Sequence, residues 1–534
     1  METENPGYRD EFTAFMHLSD HSLRQIDDAY VRSLDPEALR GLSLRLLADL
    51  KEARERLNQG PTNSSRPPSS RAPWDRGETV VEPDEAEACS AVAAEPAEAT
   101  AATGQSAAVD TAAPLAAVKA ARKAGKQPGA PGVGRTQVFT AQEEIPHYPD
   151  VCAGCGQVLA DPVGAVAYTG FQAVDLRRGA ADEPGLRLWV VDHRYYEAPC
   201  ACGHHSRATA GRGEVDPLLA GVELSEWRVV GPGLAGLIVA LSLRFRLSRA
   251  RIQEFLREWL GVELSIGTIH QTLHEAAAAL APAEDEWVDA VLASGLLHAD
   301  ETSWPERGQP LWLWVFTAAT VTLYSVAGRG KELVENVLDG FTGWLMSDGW
   351  ASYRHYPRRL RCWAHLIRKA RGLAESYHRD VRAFGRQVLD TLNALVAAVY
   401  AAREGPPADL PTQHAPLLAE LRAACEQHQG HPHAKTHALA VELLNDWDAI
   451  FQVLHHPELP LTNNDAERAL RHWVIARKIS HGTRTATGSR VFALLASVID
   501  TCRQRGHSPW LYIETAIADR RAGRPLAPLP QPGG

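Results

Sequence analysis

The sequence lacks an apolar run long enough to cross a bilayer, an excess of positive charge, and the cysteine density of a disulfide-stapled protein. Its longest apolar stretch, from Leu234 to Leu243, is too short to span a membrane and is closed by Arg244. A formal net charge of −10 excludes a uniformly basic surface, so binding to nucleic acid must use local basic stretches. The first residues, Met1-Glu-Thr-Glu-Asn5, do not form a basic and apolar secretion signal. Together with only eight cysteines, these features predict a protein of a reducing, cytosolic compartment.

The N-terminal residues 1–58 form the first predicted unit, a helical segment. A chain of 534 residues with 45% hydrophobic content can bury several cores, which predicts three or four domains in all. The apolar side of the helical segment continues into a charged stretch from Lys51 to Arg56. This pattern is compatible with a coiled-coil arm for self-association or with a helical hairpin packed on itself. The apolar side consists of Leu39, Leu42, Leu44, Leu46, Leu47 and Leu50.

Residues 59–141 are rich in Pro, Ser, Ala, Glu and Gly and contain almost no aromatic residues. Such a composition cannot bury enough apolar surface to offset its ordering entropy, so we predict a disordered linker. Its end, from Lys119 to Arg135, is basic and glycine-rich. This end can lie along phosphates or enter a minor groove, or it can be a solvated linker with incidental charge.

Two pairs of cysteines mark residues 142–215 as a candidate zinc-binding module, similar to a zinc ribbon. Plausible strands, 166–174 and 186–196, lie between the pairs, and tetrahedral Zn²⁺ takes four thiolates at this sort of separation. The second pair has Cys-x-Cys spacing, so His147, His204 or His205 can replace the fourth ligand. The alternative is a set of buried free cysteines. The predicted ligands are Cys152, Cys155, Cys200 and Cys202.

Residues 216–292 are predicted to be helical. Pro232-Gly233 begins one helix, a second covers Leu247 to Leu256, and Ser265 is a suitable N-cap for a third. A helix, a short turn and a capped helix are compatible with a DNA-binding helix-turn-helix. Many helical bundles share this pattern, so the DNA-binding role is a hypothesis.

Three acidic residues stand in three unlike contexts. Asp300 and Asp348 each end a short apolar run, as a carboxylate at the end of a buried strand does, and Glu467 opens a helix. Two carboxylates on strands and one on a helix can converge on a pair of divalent cations, which is the arrangement of a two-metal phosphoryl-transfer site. The alternative explanation is local, because turns and helix N-termini favour acids in most proteins.

Several short sequence motifs accompany these acids in a fixed order. The ordered set closely resembles the IS66 family of insertion-sequence transposases, and the resemblance extends over nearly the whole chain, including Asn63-Ser-Ser-Arg-Pro-Pro-Ser-Ser70 and the Cys-x-x-Cys module. The motifs are His298-Ala-Asp-Glu-Thr302, Ser347-Asp-Gly-Trp-Ala-Ser-Tyr353, Cys362-Trp-Ala-His-Leu-Ile-Arg-Lys369, Asn463-Asn-Asp-Ala-Glu-Arg-Ala-Leu-Arg471, Ala476-Arg-Lys478 and Ser497-Val-Ile-Asp-Thr501.

The resemblance implies a catalytic site and a fold. In that family the acids matching Asp300, Asp348 and Glu467 are the DDE triad of a ribonuclease-H-like domain, which binds Mg²⁺ or Mn²⁺. The implied mechanism has two cations bridged by Asp300, one that activates water and one that stabilises the leaving 3′ oxygen. The freed 3′-OH then attacks target DNA.

The resemblance also implies the architecture of the whole chain. We expect a multidomain α+β protein, with a ribonuclease-H-like α/β catalytic domain over residues 293–515 and a helical insertion over about 366–456. The zinc-binding module and the helical N-terminal segments precede this domain, and residues 516–534 form a flexible tail. Strands at 312–318 and 321–324, a helix near 331–338 and the strand ending at Asp348 fit this order.

The third acid has a rival, since Asp465 lies two residues before Glu467. We expect Asp465 to cap the helix and Glu467 to bind metal. Glu301 should point to the opposite side of its strand and act at most as an outer neighbour of the site. His298 can steady a phosphate or simply fill the strand end. Cys362 is given a packing role and no chemistry.

Basic residues follow Glu467 without an intervening acid. They can neutralise phosphates beside the metals, or they can form a solvated helix face. The predicted DNA-contacting residues are Arg468, Arg471, Arg477, Lys478, Arg484 and Arg490.

The expected partners are the double-stranded DNA of the element ends and of the target, a second copy of the chain, and accessory proteins from the same element. The expected location is the bacterial cytoplasm, in association with the nucleoid, with no membrane contact. Two alternatives use the same residues: a metal-dependent nuclease that does not join DNA, and a non-catalytic zinc-ribbon regulator.

Overall fold

The structure is a computed structural model in which helices combine with three sheets among the described residues, giving a mixed α+β protein as predicted. The basic segment from Lys119 to Arg135, most of the predicted linker 59–141, and the start of the predicted N-terminal helical segment lie outside the described residues. No helix within the described part of the chain combines the length and apolar character needed to cross a membrane. The structure describes residues 26–58, 63, 137–159, 163–179, 182–214, 217–219, 221–406 and 408–533.

Within residues 26–58, the described part of the N-terminal segment, lie the helices α1 Asp28–Ser33 and α2 Pro36–Leu57. The side chain of Asp27 caps α1 by accepting a hydrogen bond from the Tyr30 amide at 2.8 Å. One end of α2 is fixed to the rest of the chain, because Glu55 accepts a hydrogen bond from the Tyr377 amide at 3.2 Å. Its leucine side is largely exposed, with Leu44, Leu46, Leu47, Leu50 and Leu57 at the surface.

A four-stranded sheet forms the cysteine-containing module. The predicted strands are confirmed as β2 and β3, which pair antiparallel, while β1 runs parallel to β3 and β4 antiparallel to it. The rings of His147 and Tyr195 stack across β1 and β3 at 4.3 Å, which fills one face of this small sheet. The strands are β1 Glu143–His147, β2 Val166–Arg178, β3 Leu186–Pro199 and β4 His205–Arg207.

A short strand pair and a set of helices follow the module. Ser248 and Ser265 cap the N-termini of α4 and α5, and Gly261 ends α4 in the left-handed conformation (φ 64°) that glycine adopts without strain. The predicted helices of this region are thus confirmed. The elements are β5 Arg212–Gly213, β6 Leu224–Ser225, α3 Pro232–Val239 with a π-helical extension Ala240–Arg244, α4 Arg249–Leu260, α5 Ile266–Leu280 and α6 Glu284–Leu292.

The central sheet has the strand order β11-β10-β7-β8-β9. β7, β8 and β9 form an antiparallel meander, and β10 and β11 run parallel to β7. Arg307 and Gly308 both have positive φ, which is the type I′ geometry that a two-residue hairpin between twisted strands requires. The elements are β7 Leu296–Glu306, β8 Gln309–Thr317, β9 Thr322–Ala327, α7 Glu332–Val337, β10 Trp344–Ser347 and β11 Arg359–Arg361.

A helical unit follows β11, as predicted for residues 366–456. It has its own apolar core, to which Leu392, Leu395 and Leu439 contribute. The chain enters and leaves the unit at one point, because the Trp363 amide donates to the Leu461 carbonyl at 2.8 Å. Its helices are α8 Trp363–Ala374, α9 Arg379–Glu404, α10 Leu410–Gln413, α11 Ala415–His428, α12 Ala434–Asn445 and α13 Trp447–Phe451.

The fold continues with α14 Asn464–Ser480, α15 Ala486–Gln504 and α16 Pro509–Arg521. The expectation of a flexible tail over residues 516–534 is wrong, because α16 buries Ile517 and Arg521, and the Leu529 amide beyond it donates to Glu286 at 3.0 Å. Alternation along the strands divides the central sheet into two apolar faces. One face, which includes Ala299 and Phe316, packs in the large core with α5 and α15. The other, which includes Val315, packs against Leu470 and Trp473 of α14. The second face therefore orients α14 along β7 and β8.

A buried ion network joins the helical unit to the edge of the central sheet. Asp446, between α12 and α13, is contacted by Arg359 at 2.7 Å and by Arg361. Glu442 of α12 pairs with Arg361 at 2.5 Å and with Lys369 of α8 at 2.7 Å. Burial would raise the pKa of Asp446, but the hydrogen bond from Arg359 and the neighbouring arginine charges hold it below its ordinary value.

Replacement of Asp446 by Ala should destabilise the protein by about 3–5 kcal/mol, since two buried guanidinium groups lose their partner. Asp448→Ala, at an exposed position of α13, is the matched control and should change stability by less than about 0.5 kcal/mol. Denaturant unfolding of both variants measures the difference. Because the pKa of Asp446 is lowered on folding, its contribution should persist above its unfolded value of 3.8 and fade below it. Equal stability of the two variants at neutral pH would contradict the role of the network.

Candidate active site and cysteine cluster

The first two predicted acids lie on neighbouring parallel strands, Asp300 within β7 and Asp348 directly after the end of β10. The expectation that a strand ends at Asp300 is wrong, because β7 continues to Glu306. Met346 of β10 pairs with His298 of β7, so Asp348 is level with Asp300 two residues further along. Paired residues of parallel strands share a face of the sheet, and adjacent strands are about 4.8 Å apart. The register therefore directs both carboxylates to the face covered by α14.

Glu301 lies on the opposite face, as predicted. Its carboxylate is almost completely buried, where it accepts hydrogen bonds from Arg329 at 2.8 Å and from the Tyr353 hydroxyl at 3.0 Å. The Arg329 guanidinium is itself sandwiched between the rings of Trp312 and Trp350. These contacts use both oxygens of Glu301 in packing beneath the sheet.

The third predicted acid, Glu467, lies in the first turn of α14, and Asn463 fixes the start of that helix to β7. The Asn463 side chain donates to the Ala299 carbonyl at 2.8 Å, and its oxygen lies 3.1 Å from His298 Nδ1. Because Ala299 directly precedes Asp300, these bonds hold Glu467 near the two strand acids. The oxygens of the three acids do not all lie within 4.8 Å of one another.

The prediction that Asp465 caps this helix is wrong. The helix begins at Asn464, so Asp465 lies inside the first turn and Asn463 occupies the N-cap position. Asp465 instead forms a surface ion pair with Arg468 at 2.5 Å and lies 3.5 Å from His298 Nε2. The asparagine side chain, used to bind β7, does not cap the helix either.

His298 is buried between β7 and α14, with both ring nitrogens facing protein groups. Burial lowers its pKa, which favours the neutral ring. The phosphate-steadying role considered for His298 is therefore withdrawn, since the ring belongs to the contact that positions α14.

Asp300 is buried among other acids. Burial raises its pKa well above the ordinary value, and the charges of Asp348, Glu301 and Glu467 raise it further. A backbone hydrogen bond from the Glu301 amide at 2.9 Å offsets only part of this effect. Like charges held together in this way are typical of sites that bind cations or protons.

Glu467 has neighbours that the sequence had not singled out. Its Oε1 lies 3.9 Å from His365 Nε2 and 3.7 Å from the Arg368 guanidinium. The sulfur of Cys362 completes a group in which the ligand atoms of Cys362, His365 and Glu467 all lie within 4.8 Å of one another. The Cys-x-x-His spacing was the available signal for this group, and the packing role given to Cys362 overlooked it.

A cleft of about 420 Å³ opens beside Asp348, between the central sheet and the helical unit. Its charged residues are two bases, Arg354 and Lys369, and two acids, Asp348 and Glu442. Its wall is formed by Asp348, Gly349, Trp350, Arg354, His365, Lys369, Ala438, Val441, Glu442 and Asn445.

The six basic residues predicted to contact DNA divide into two groups. Arg477 donates to Thr302 Oγ1 at 2.7 Å and to Ser303 Oγ at 2.8 Å, and Arg490 forms a bidentate pair with Glu284. These two guanidinium groups are used within the protein, so we withdraw them from the predicted DNA surface. The remaining four, Arg468, Arg471, Lys478 and Arg484, are exposed.

The four predicted zinc ligands lie together at one end of the first sheet. Sγ–Sγ distances are 3.7 Å for Cys152–Cys202 and for Cys155–Cys200, and all four sulfurs are within 4.8 Å of one another. Two of the proposed replacement ligands make other contacts: the His147 ring is 2.9 Å from His193, and the His205 ring faces Glu197. His204 packs against Gly154, but it does not belong to the group that the four sulfurs form. The Cys-x-Cys spacing therefore does not exclude Cys202 from the cluster.

Replacement of Asn463 by Ala should cost about 1–3 kcal/mol, because it leaves the buried Ala299 carbonyl and His298 without a partner. Asp465→Asn removes only a surface ion pair and should change stability by less than about 0.5 kcal/mol. Thermal unfolding of both variants measures the contrast. The opposite order of stabilities would restore Asp465 as the residue that fixes the helix.

Comparison with known proteins gives matches at the level of sequence. Residues 228–491 match the family described as Transposase IS66 family, a region that contains all three acids but not the cysteine cluster. Three relatives come from Sinorhizobium fredii (strain NBRC 101917 / NGR234). Uncharacterized protein y4qI is 24% identical over 306 residues, 52% of this chain and 56% of its own length. Uncharacterized protein y4jO is 26% identical over 216 residues, 40% of this chain and 65% of its own length.

Uncharacterized protein y4hP is 27% identical over 312 residues, 50% of this chain and 55% of its own length. The chain thus spans between 55% and 65% of the length of these curated relatives. The family match confirms the resemblance that the ordered sequence motifs indicated. The chain belongs to the IS66 family of transposases.

Proposed function

We propose that this protein is a DNA transposase that binds the ends of an insertion sequence and catalyses metal-dependent strand cleavage and strand transfer. The observation that carries the proposal is the β7–β10 register, which directs Asp300 and Asp348 to the face where α14 presents Glu467. Family membership gives the class of reaction, since transposases cut and join DNA.

The strand arrangement supports a ribonuclease-H-like catalytic domain. Three antiparallel strands followed by two parallel strands on the far side of the first give the order β11-β10-β7-β8-β9. This order places β7 at the centre of the sheet and β10 beside it. The acids carried by these two strands can therefore lie close together. The helical unit then enters after β11, between the second and third acids.

The three acids suit a hard cation such as Mg²⁺ or Mn²⁺, which prefers carboxylate oxygens. The buried Asp300 carboxylate faces further negative charge, and Glu467 Oε1 is buried with no hydrogen-bond partner among the described residues. The Arg368 guanidinium lies 3.7 Å from Glu467 Oε1, whereas bound cations would offset the negative charge around Asp300. Asp300, Asp348 and Glu467 would hold the cations, which supply charge stabilisation at the attacking and leaving oxygens.

The chain's own residues supply orientation and charge around this site. Asn463 fixes the angle at which α14 leaves β7, so Glu467 keeps its position when phosphate approaches. The exposed Arg468, Arg471 and Lys478 continue along α14 and can contact phosphates of one strand. Arg354 and Lys369 border the cleft beside Asp348, which offers a path for the other side of the backbone.

Two further parts of the chain are proposed to contact partners. The helices α4 and α5 have the spacing of a helix-turn-helix, and the first residues of α5, Ile266 and Gly267, are exposed where a recognition helix contacts bases. The exposed leucine side of α2 is proposed to bind a second copy of the chain. Leu46, Leu50 and Leu57 lie on it four and seven residues apart, which fits the a and d positions of a coiled-coil heptad.

The four-cysteine cluster is proposed to hold structural Zn²⁺. A tetrahedron with Zn–S bonds of about 2.3 Å has S–S edges of about 3.8 Å, which matches the 3.7 Å spacings of both pairs. The backbone hydrogen bonds around Cys152, led by that of Cys155, lower the pKa of its thiol to about 6, so one ligand is ready to bind as a thiolate.

Asp300→Asn and Glu467→Gln should each reduce Mg²⁺-dependent cleavage and strand transfer by more than about 100-fold, because several kcal/mol of charge stabilisation are lost. Asp300→Asn should leave thermal stability unchanged or higher, since it removes a buried charge from beside other acids. The substrate is a DNA duplex carrying one end of the element, and cleavage and joining are scored separately on sequencing gels.

Asp465→Asn, on the same helical turn as Glu467, is the matched control and should retain both activities. Retained DNA binding by the inactive variants separates catalysis from recognition. Strand transfer at the wild-type rate by either acid variant would refute the assignment. Cleavage without joining by the wild-type protein would instead indicate a nuclease, and binding without cleavage a regulator.

Purified protein should retain one Zn²⁺ per chain after dialysis against a weak chelator, and Cys202→Ser should lose it. Cys425→Ala removes a buried thiol in the helical unit and serves as the control that keeps the metal. Elemental analysis gives the stoichiometry. A metal-free wild-type protein that stays folded, with all four cluster thiols reactive, would rule the site out.

A further inference from the structure

A second group of metal-ligand side chains adjoins the proposed catalytic acids. Cys362 is the residue that precedes α8, His365 lies in the first turn of α8, and Glu467 lies in the first turn of α14. One atom from each lies within 4.8 Å of the other two. The group thus forms where the N-terminal ends of two helices meet the end of β11.

Two atoms of this group are buried without a hydrogen bond. Neither His365 Nδ1 nor Glu467 Oε1 has a hydrogen-bond partner among the residues that the structure describes. Buried polar atoms are nearly always paired, so two orphaned atoms in one cluster point to a missing partner. The other nitrogen of the same ring, Nε2, lies 3.9 Å from Glu467 Oε1. A cation is a partner that an imidazole nitrogen and a carboxylate oxygen can share.

The sulfur of Cys362 faces hydrogen-bond donors. The Asn463 amide donates to it at 3.2 Å, and backbone hydrogen bonds from His365 and Ala364 also favour the thiolate, although burial as the larger effect raises the thiol pKa. Coordination to a cation deprotonates a thiol outright, with the proton released to solvent. The donor set then comprises one thiolate, one imidazole and one carboxylate.

This donor set selects a different metal from the one that the three acids suit. Thiolate and imidazole are ligands for Zn²⁺, whereas Mg²⁺ takes oxygen ligands almost alone. Three protein ligands with one open position form the usual arrangement of an accessible zinc site. His365 also lines the cleft beside Asp348, so the fourth position can be reached from solvent.

Arg368 opposes metal binding at this position. Its guanidinium lies 3.7 Å from Glu467 Oε1 and would repel a cation bound there. The same guanidinium donates to the Ala364 carbonyl at 3.2 Å, so part of its charge is directed away from the group.

We propose that Cys362, His365 and Glu467 form a binding site for Zn²⁺ that is separate from the hard-cation site but shares Glu467 with it. Occupancy by Zn²⁺ would withdraw Glu467 from Asp300 and Asp348 and thereby inhibit strand cleavage. The binding site stands on the geometry of the group alone. The inhibitory effect rests on the proposed transposase function.

Titration of the metal-free, reduced, full-length protein with Co²⁺ tests the binding site. Co²⁺ substitutes for Zn²⁺ and reports thiolate ligation by a charge-transfer band. The difference spectrum between wild type and Cys362→Ala isolates the contribution of Cys362, whatever the four-cysteine cluster binds. We expect a thiolate–Co²⁺ band in that difference spectrum, and a loss of affinity of more than about 10-fold in His365→Asn.

Cys425→Ala is the matched control, because it removes another buried thiol and should retain the full spectrum. Circular dichroism of each variant checks that the fold persists, and His365→Asn keeps the test valid if Cys362→Ala unfolds. Superimposable spectra and equal Co²⁺ stoichiometry for wild type, Cys362→Ala and His365→Asn would overturn the proposal. Loss of the band in Cys425→Ala would overturn it too.

The inhibitory effect is measured as the ratio of Mg²⁺-dependent cleavage with and without added Zn²⁺, each variant being compared with its own zinc-free rate. Zn²⁺ should inhibit the wild type at least about 10-fold more strongly than His365→Asn. Equal inhibition would overturn the regulatory step. A protein that binds Co²⁺ through Cys362 but never cuts DNA would refute the transposase proposal and leave the metal site intact.

Discussion

The side-chain amide of Asn463 is the contact on which the geometry of the acids depends. It joins the first turn of α14 to the last residues of β7 before Asp300, through the Ala299 carbonyl and His298. A helix docked only by Leu470 and Trp473 could shift along the sheet, since apolar packing is not directional. The hydrogen bonds of Asn463 remove that freedom at the N-terminus of α14, close to Glu467. The position of the third acid is thus set by an uncharged residue.

The acids impose the opposite requirement. Asp300 is buried beside Asp348 and Glu467, which raises its pKa and makes the arrangement unfavourable until positive charge arrives. Strong packing therefore surrounds a locally repulsive centre: Glu301 and Arg329 below the sheet, and Asn463 and His298 above it. The scaffold and the site have different energetic roles, and the apolar faces of the sheet allow the acids to be held together.

The sequence predicted the elements better than their contacts. Asp300 and Asp348 were found because each ends an apolar run, and Glu467 because it opens a helix, all of which are local signals. The role of Asn463 depends on a strand 164 residues away, so no local pattern could distinguish it from a helix cap. The same distance effect explains Arg477 and Arg490, which are basic in sequence but bonded to β7 and α6 in the fold. Cys362 and His365 carried a visible spacing, yet only the folded chain adds Glu467 to them.

The hydrogen bond from the Trp363 amide to the Leu461 carbonyl has a consequence for the history of the chain. It joins the two ends of the helical unit, so the unit is an insertion that begins and ends at one place, between the second and third acids in the sequence. Lengthening such an insertion adds little to the entropic cost of bringing its ends together, because that cost rises only with the logarithm of length. Helices within it can change in length without separating the end of β11 from the start of α14. The part of the protein most tolerant of changes in length is thus the part that borders the cleft beside Asp348.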